Sequence, residues 1–225
     1  MIYIYSDIAE FDENDYRLLL EKASLQRIQK CESYRFFIDK KISLIAYLLL
    51  LYSAGKRFAF YGKPDFLIEN NGKPYISQSG FRFNLSHTRE GVMCCTDSCE
   101  VGCDIEYEVN ETFFPKHVFS RNEYELINEK TNPKEYFTKL WTLKEAYSKC
   151  IGIGLANDIS SVDFSEELNK KHFSYNGKTL ISGNLNGLFW SVCYENYRKG
   201  SCVVPEIVTK KQLLDFFAGG ISIGN

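Results

Sequence analysis

The sequence predicts an α+β fold built of two comparable halves. Three observations carry this. Helical and strand periodicities alternate in blocks rather than strictly one by one. Each half contains a long apolar helical stretch and several short β-rich runs. The order strand, helices, strands is followed by helices and strands again, with a seam near residue 106. The expected division is therefore 1–106 and 107–225.

Residues 1–7 alternate Ile2, Ile4 with Tyr3, Tyr5 and read as a strand. From Glu13 to Lys30, Leu18, Leu19, Ala23, Leu25 and Ile28 recur at helical spacing and predict one helix. A second helix is expected from Asp39 to Ala54, stopped by Gly55. Residues 61–80 are rich in glycine and proline and read as loops. Phe81–Leu85, Val92–Thr96 and Val101–Glu106 are expected to form one antiparallel sheet. Ser120 with Glu123 is a capping box opening a helix to Glu129. Asn132-Pro133 opens another, running to about Cys150 and ended by Gly152 and Gly154. Ile159–Phe164, His172–Tyr175 and Leu188–Tyr194 read as strands, and Thr209 to Ala218 as a closing helix.

With 225 residues, 44% of them apolar and 25% charged, the chain is long enough to bury a sizeable core. Its net charge of -2 excludes a general electrostatic nucleic-acid binder, so any phosphate site must be a local cluster. The N-terminus lacks the basic and apolar regions of a signal peptide. The longest apolar run, Ile42 to Tyr52, is too short to span a bilayer. A cytoplasmic monomer is expected, with no membrane and no nucleic acid as partner. Eight cysteines are then expected to be reduced thiols. Cys94, Cys95, Cys99 and Cys103 cluster without the paired spacing of a structural zinc site.

Three segments can carry chemistry. In Gly102-Cys103-Asp104-Ile105-Glu106, positions two apart on a strand share a face, so Asp104 and Glu106 point together. Two adjacent carboxylates favour a hard cation such as magnesium. In Trp141-Thr142-Leu143-Lys144-Glu145-Ala146-Tyr147-Ser148-Lys149, Trp141, Glu145 and Lys149 form one helical stripe. In Phe83-Asn84-Leu85-Ser86-His87, a strand ends in a polar turn whose histidine can donate to a phosphate oxygen. Each segment alone also admits a plain structural reading: a solvated strand face, a surface ion pair, a turn histidine. No nucleophile elbow accompanies Ser86.

Together, and with Asn71-Gly72-Lys73-Pro74 before them and Gly152-Ile153-Gly154-Leu155 after them, these segments resemble the Sfp-type 4′-phosphopantetheinyl transferases. The resemblance covers residues 25–165 well and the two ends loosely. It implies two halves related by a pseudo-twofold axis, each a small antiparallel sheet with helices, and coenzyme A bound in the cleft between them. The N-terminal half would bind coenzyme A and supply part of the metal site. The C-terminal half would supply the catalytic helix and the carrier-docking segment. Asp104, Glu106 and Glu145 would hold magnesium. Lys149 would contact the pyrophosphate and His87 a phosphate, with Glu145 taking the acceptor proton. Lys73, Pro74, Asn84 and Ser86 would line the nucleotide site, and Arg27 and Lys30 would stand near the 3′-phosphate. The implied reaction moves phosphopantetheine to a serine of an apo acyl or peptidyl carrier protein and releases adenosine 3′,5′-bisphosphate. The docking segment would run from about Tyr107 to Glu125, with Lys116, His117 and Arg121 beside Phe113, Phe114, Val118 and Phe119. The chain departs from the family at Ile42, where an arginine is usual, and Lys40 or Lys41 is expected to replace it. Competing readings are a magnesium-dependent phosphohydrolase, a carrier-binding module without turnover, and a zinc-binding regulator.

Overall fold

The computed structural model describes residues 1–108, 116–154, 159–197 and 204–219. Their elements are α+β: six α-helices, two short 3-10 turns and ten strands in several small sheets. Strand β1 (Ile2–Tyr5) lies between β5 (Val92–Asp97) and the short β10 (Glu206–Ile207), and β4 (Arg82–His87) completes that sheet. The second sheet has the order β6 (Val101–Tyr107), β9 (Leu188–Tyr194), β8 (Lys178–Leu185), β7 (His172–Tyr175). A small ribbon joins β2 (Leu67–Ile68) to β3 (Pro74–Tyr75) within the segment expected to be only loops.

Alternation along the strands builds the layers. Tyr3, Tyr5, Val92 and Cys94 face the long helix α3 (Phe37–Phe58). Ile2, Ile4, Met93 and Cys95 face the other way, onto Val101, Cys103, Ile105 and Val192 of the second sheet. The second sheet's outer face packs on α5 (Pro133–Ile151) through residues such as Leu143, Ala146 and Cys193. Helix, sheet, sheet and helix therefore stack in that order, which buries β5 and β9 along their whole length and explains why they are mostly apolar.

Several expectations are corrected. The helix expected over Glu13–Lys30 is two helices, α1 (Glu13–Leu20) and α2 (Leu25–Ser33), because Ser24 caps a new start by accepting from the Arg27 amide. Gly55 does not end α3. The helix continues to Phe58, and Gly55 is the point where Phe216 and Tyr61 approach the backbone, so an added Cβ would meet Phe216 at 2.7 Å. Strand β6 does not join β4 and β5 in one sheet. It pairs antiparallel with β9, Asp104 opposite Ser191. Residues 159–164 begin with a 3-10 turn instead of a strand. The ion pair described next explains this, since it takes up the carbonyls of Ile159 and Val162.

That pair joins Lys144 of α5 to Glu123 of α4 (Arg121–Glu129), N to O 2.8 Å, with both side chains wholly buried. Glu123 also accepts from the Ser120 and Phe164 amides, and Lys144 donates to the Ile159 and Val162 carbonyls. Burial raises the Glu123 carboxyl and lowers the Lys144 ammonium, and each opposes that shift in the other. Glu123→Gln should cost about 3–5 kcal/mol of stability, because it strands a buried ammonium. Replacing both residues by apolar ones of similar size should recover most of that loss. Chemical denaturation of the two variants checks this, and equal losses in both would contradict it.

Candidate active site

The site forms where β6 runs across α5. Val101, Cys103 and Ile105 enter the core between the sheets, so Gly102, Asp104 and Glu106 share the opposite face. Gly102 lets strand and helix touch backbone to backbone. A Cβ there would overlap the Ala146 carbonyl oxygen and the Cys150 amide nitrogen, and would stand 2.9 Å from the Lys149 carbonyl carbon. This contact places Asp104 against the last turns of α5. On that helix the Glu145 and Lys149 side chains meet, N to O 3.8 Å, as their spacing predicts.

Asp104 is buried, with only 3% of its surface exposed. Its Oδ1 accepts from the Ser86 hydroxyl and from the Lys149 ammonium, each at 2.7 Å. Its Oδ2 is buried with no partner. An orphaned carboxylate oxygen beside two further acids suits a hard cation. Among the described residues, no group of three or more His, Cys, Asp or Glu is gathered closely enough to enclose a metal.

Electrostatics mark the same point. Burial raises the Asp104 carboxyl, opposed by Lys149. Burial also raises Glu145, again against Lys149. Glu106 is pushed up to about 7, by burial first and then by the Asp104 charge. For Lys149, burial acts downward, but Asp104 and Glu145 outweigh it and the net shift is upward. His87 is lowered, by burial and then by the Lys149 ammonium.

The Glu106 shift has a testable sign. A carboxyl whose folded pKa lies above its usual 4.5 contributes stability that is complete below that pH and lost as pH rises through about 7. Glu106→Gln should therefore match the wild type near pH 4.5, and should be more stable than the wild type above about pH 7 in chelator-treated protein. Thermal melts across that range decide it; identical curves would rule it out.

A cavity of about 780 Å³ opens beside this cluster, lined among others by Arg27, Lys30, Ile42, Pro74, His87 and Arg89. Of the expected nucleotide-site residues, Arg27, Lys30, Pro74 and His87 thus line it. Ser86, Asp104, Glu145 and Lys149 form the adjoining polar cluster. Three expected residues are engaged elsewhere. Lys41 is buried and donates to the Ile8 and Phe11 carbonyls at 2.5 and 3.1 Å. Lys40 pairs with Glu32 at 2.6 Å. Lys73 pairs with Glu100 at 2.5 Å and donates to the Val101 carbonyl, which ties the β2–β3 ribbon to the start of β6. Asn84 accepts from the Cys103 amide at 2.9 Å and so aligns β6 with β4. Arg27 packs against the Tyr47 and Phe66 rings and donates to Ser43. Arg89, Ser43 and Gly102 were not singled out by sequence reasoning. A glycine two residues before the aspartate of a D-x-E strand was the available signal for Gly102.

In the expected docking segment, residues 109–115, with Phe113 and Phe114, lie outside the described residues, as does the Lys116 side chain. Val118 and Phe119 belong to the core around α5, which removes them as exposed anchors. Arg121 is exposed and pairs with Glu125 at 2.8 Å. Cys94, Cys95 and Cys103 are buried in the sheets, while Cys99 is half-buried. No helix among the described residues is long and apolar enough to cross a membrane.

Residues 100–198, which hold α5 and all four strands of the second sheet, match the model of the 4′-phosphopantetheinyl transferase superfamily. The 4′-phosphopantetheinyl transferase psf-1 of Bacillus pumilus is 32% identical over 160 residues, covering 67% of this chain and 68% of the relative. The chain belongs to the 4′-phosphopantetheinyl transferase family. The transferase Sfp of Bacillus subtilis strain 168 is 30% identical over 164 residues, 70% of this chain and 72% of its own. The L-aminoadipate-semialdehyde dehydrogenase-phosphopantetheinyl transferase of Saccharomyces cerevisiae is 30% identical over 183 residues, 73% and 65% of the two chains. The enzyme class expected from the motifs is thus the class of these relatives.

Proposed function

We propose that the protein transfers the 4′-phosphopantetheine arm of coenzyme A to a serine of an apo acyl or peptidyl carrier protein and releases adenosine 3′,5′-bisphosphate. The observation that carries this reading is the pairing of a buried, half-satisfied Asp104 with a cation-lined cavity next to it. The cavity has the volume of a nucleotide-sized ligand site, and its cations suit phosphates.

Asp104, Glu106 and Glu145 are the residues that would hold magnesium, the free Oδ2 of Asp104 being the first donor available. When bound, the ion would neutralise charge on the pyrophosphate. The protein's own groups have separable tasks. Lys149, fixed by Asp104, presents its remaining N–H donors to the phosphate oxygens. His87, neutral near pH 7 because its pKa is lowered, donates one N–H to a phosphate from the cavity wall. Glu145, whose raised pKa makes it a stronger base when ionised, takes the serine proton. Arg27 and Lys30 hold the nucleotide end.

A division into two halves near residue 106 is part of this reading, although β10 of the second half pairs with β1 of the first and β6 pairs with β9. The first contributes the cavity walls and the second contributes α5, with β6 at the seam. Two four-stranded sheets, each packed on one long helix, are compatible with a pseudo-twofold relation. Lys116 and Arg121 are proposed to steer an acidic carrier helix. Charge reversal at both should raise the KM for the carrier and weaken its salt dependence, with little change for coenzyme A. A parallel rise in both KM values would reject this docking surface.

The deciding experiment incubates the protein with coenzyme A, magnesium and a panel of apo-carrier proteins, read by intact mass. Addition of a phosphopantetheine arm to a carrier supports the reading. Release of phosphate from coenzyme A without any carrier modification would replace it with a hydrolase.

A further inference from the structure

We propose that Arg89 is the residue that recognises the 3′-phosphate of coenzyme A in this chain, and so determines its preference for coenzyme A over dephospho-coenzyme A. The inference rests on the reading that the cavity holds coenzyme A.

Among the described residues, the cavity wall carries three cations, Arg27, Lys30 and Arg89, against one acid, Asp39. In a chain of net charge -2 this is a local excess of positive charge facing one space. The cations differ in how far they are committed. The Arg27 guanidinium donates to Ser43 at 3.2 Å and sits 4.7 Å from the Phe66 ring centroid. Arg89 forms no ion pair or hydrogen bond with any described residue, so its five N–H donors remain available. Its position is nevertheless set. The Thr88 hydroxyl accepts from the Glu90 and Gly91 amides at 2.9 and 3.2 Å, and the Thr88 amide donates to the Gly91 carbonyl at 2.8 Å. These bonds lock the turn that presents Arg89. The nearby acid Glu90 accepts from Thr88 at 3.0 Å instead of pairing with the arginine.

Placement selects which phosphate it meets. Ser86 holds Asp104 at the reacting end and His87 follows on the cavity wall. Arg89 lines the cavity together with Arg27 and Lys30, whereas Asp104, Glu145 and Lys149 do not line it. Its place on that wall, apart from the reacting cluster, suits a phosphate remote from the pyrophosphate. Across the same cavity Ile42 supplies no charge, and Lys40 and Lys41 are spent on Glu32 and on backbone carbonyls. A guanidinium on the turn after His87 thus fills a recognition task that α3 does not perform.

The test measures binding by calorimetry, so it needs no carrier and no turnover. Wild type, Arg89→Ala, Arg89→Lys and the double variant Arg89→Ala with Ile42→Arg are each titrated with coenzyme A and with dephospho-coenzyme A. Arg89→Ala should weaken coenzyme A binding by roughly tenfold or more, the scale of a lost charged hydrogen-bond pair, while dephospho-coenzyme A changes less than about twofold. Arg89→Lys should keep part of the discrimination, and the double variant should regain much of it. Equal losses for both ligands would overturn the proposal by placing Arg89 on the pyrophosphate or in the fold. No loss for either ligand would overturn it by leaving Arg89 without contact. If discrimination follows Arg89 but no carrier is ever modified, the transfer reading fails and the 3′-phosphate assignment stands. If the wild type binds neither ligand, both fail.

Discussion

Asparagine in place of Asp104 should lower turnover by about a hundredfold or more while the protein stays folded. The two side chains are nearly isosteric, so packing in this buried position is preserved. What changes is charge. Lys149 loses the carboxylate that fixes it at 2.7 Å, and the unpartnered Oδ2 becomes a neutral group without affinity for a hard cation. The Ser86 hydroxyl can still donate to the amide oxygen, which keeps β4 joined to β6 at this point. Steady-state transfer to a carrier, with circular dichroism and a melting curve as controls, measures the effect. Near-normal magnesium-dependent turnover by a folded variant would remove Asp104 from the reaction.

Alanine at position 102 should be nearly as damaging, by a different route. Its methyl group has nowhere to go, because the clashing atoms are the backbone of α5 at Ala146, Lys149 and Cys150, not the end of a flexible side chain. Strand and helix must separate. The cost should be about 3 kcal/mol, at the upper end of ordinary overpacking. For a chain of this size that is roughly 6–12 °C in Tm. Turnover should fall more than stability alone accounts for, since the same displacement moves Asp104 away from Lys149 and Glu145. An unchanged Tm would show that the strand does not sit on the helix as described.

Local rules made much of the site legible. The period of two places Ile105 in the core and leaves Asp104 and Glu106 on the other face of β6, as expected from five residues of sequence. The period of 3.6 sets Glu145 beside Lys149, and the Ser120–Glu123 capping box marks where α4 begins. Each depends on neighbours within one or two turns of chain, and backbone geometry alone carries that information. The break at Ser24 was equally local but was hidden by an apolar periodicity that continues across it.

What the sequence determined by itself was the α+β class, the transferase family through its ordered motifs, and the membership of the Ser86, Asp104, Glu145 and Lys149 cluster. The tertiary structure alone decided which cations remain free. Lys40, Lys41 and Lys73 read in sequence like Lys30 and Arg89. Yet Lys40 pairs with Glu32, Lys41 meets carbonyls about 30 residues away, and Lys73 meets Glu100. The partnership of β6 with β9, nearly ninety residues later, was equally invisible, although it fixes the face on which the site is built. A lysine's charge is local, but whether it is already satisfied depends on what the folded chain brings beside it.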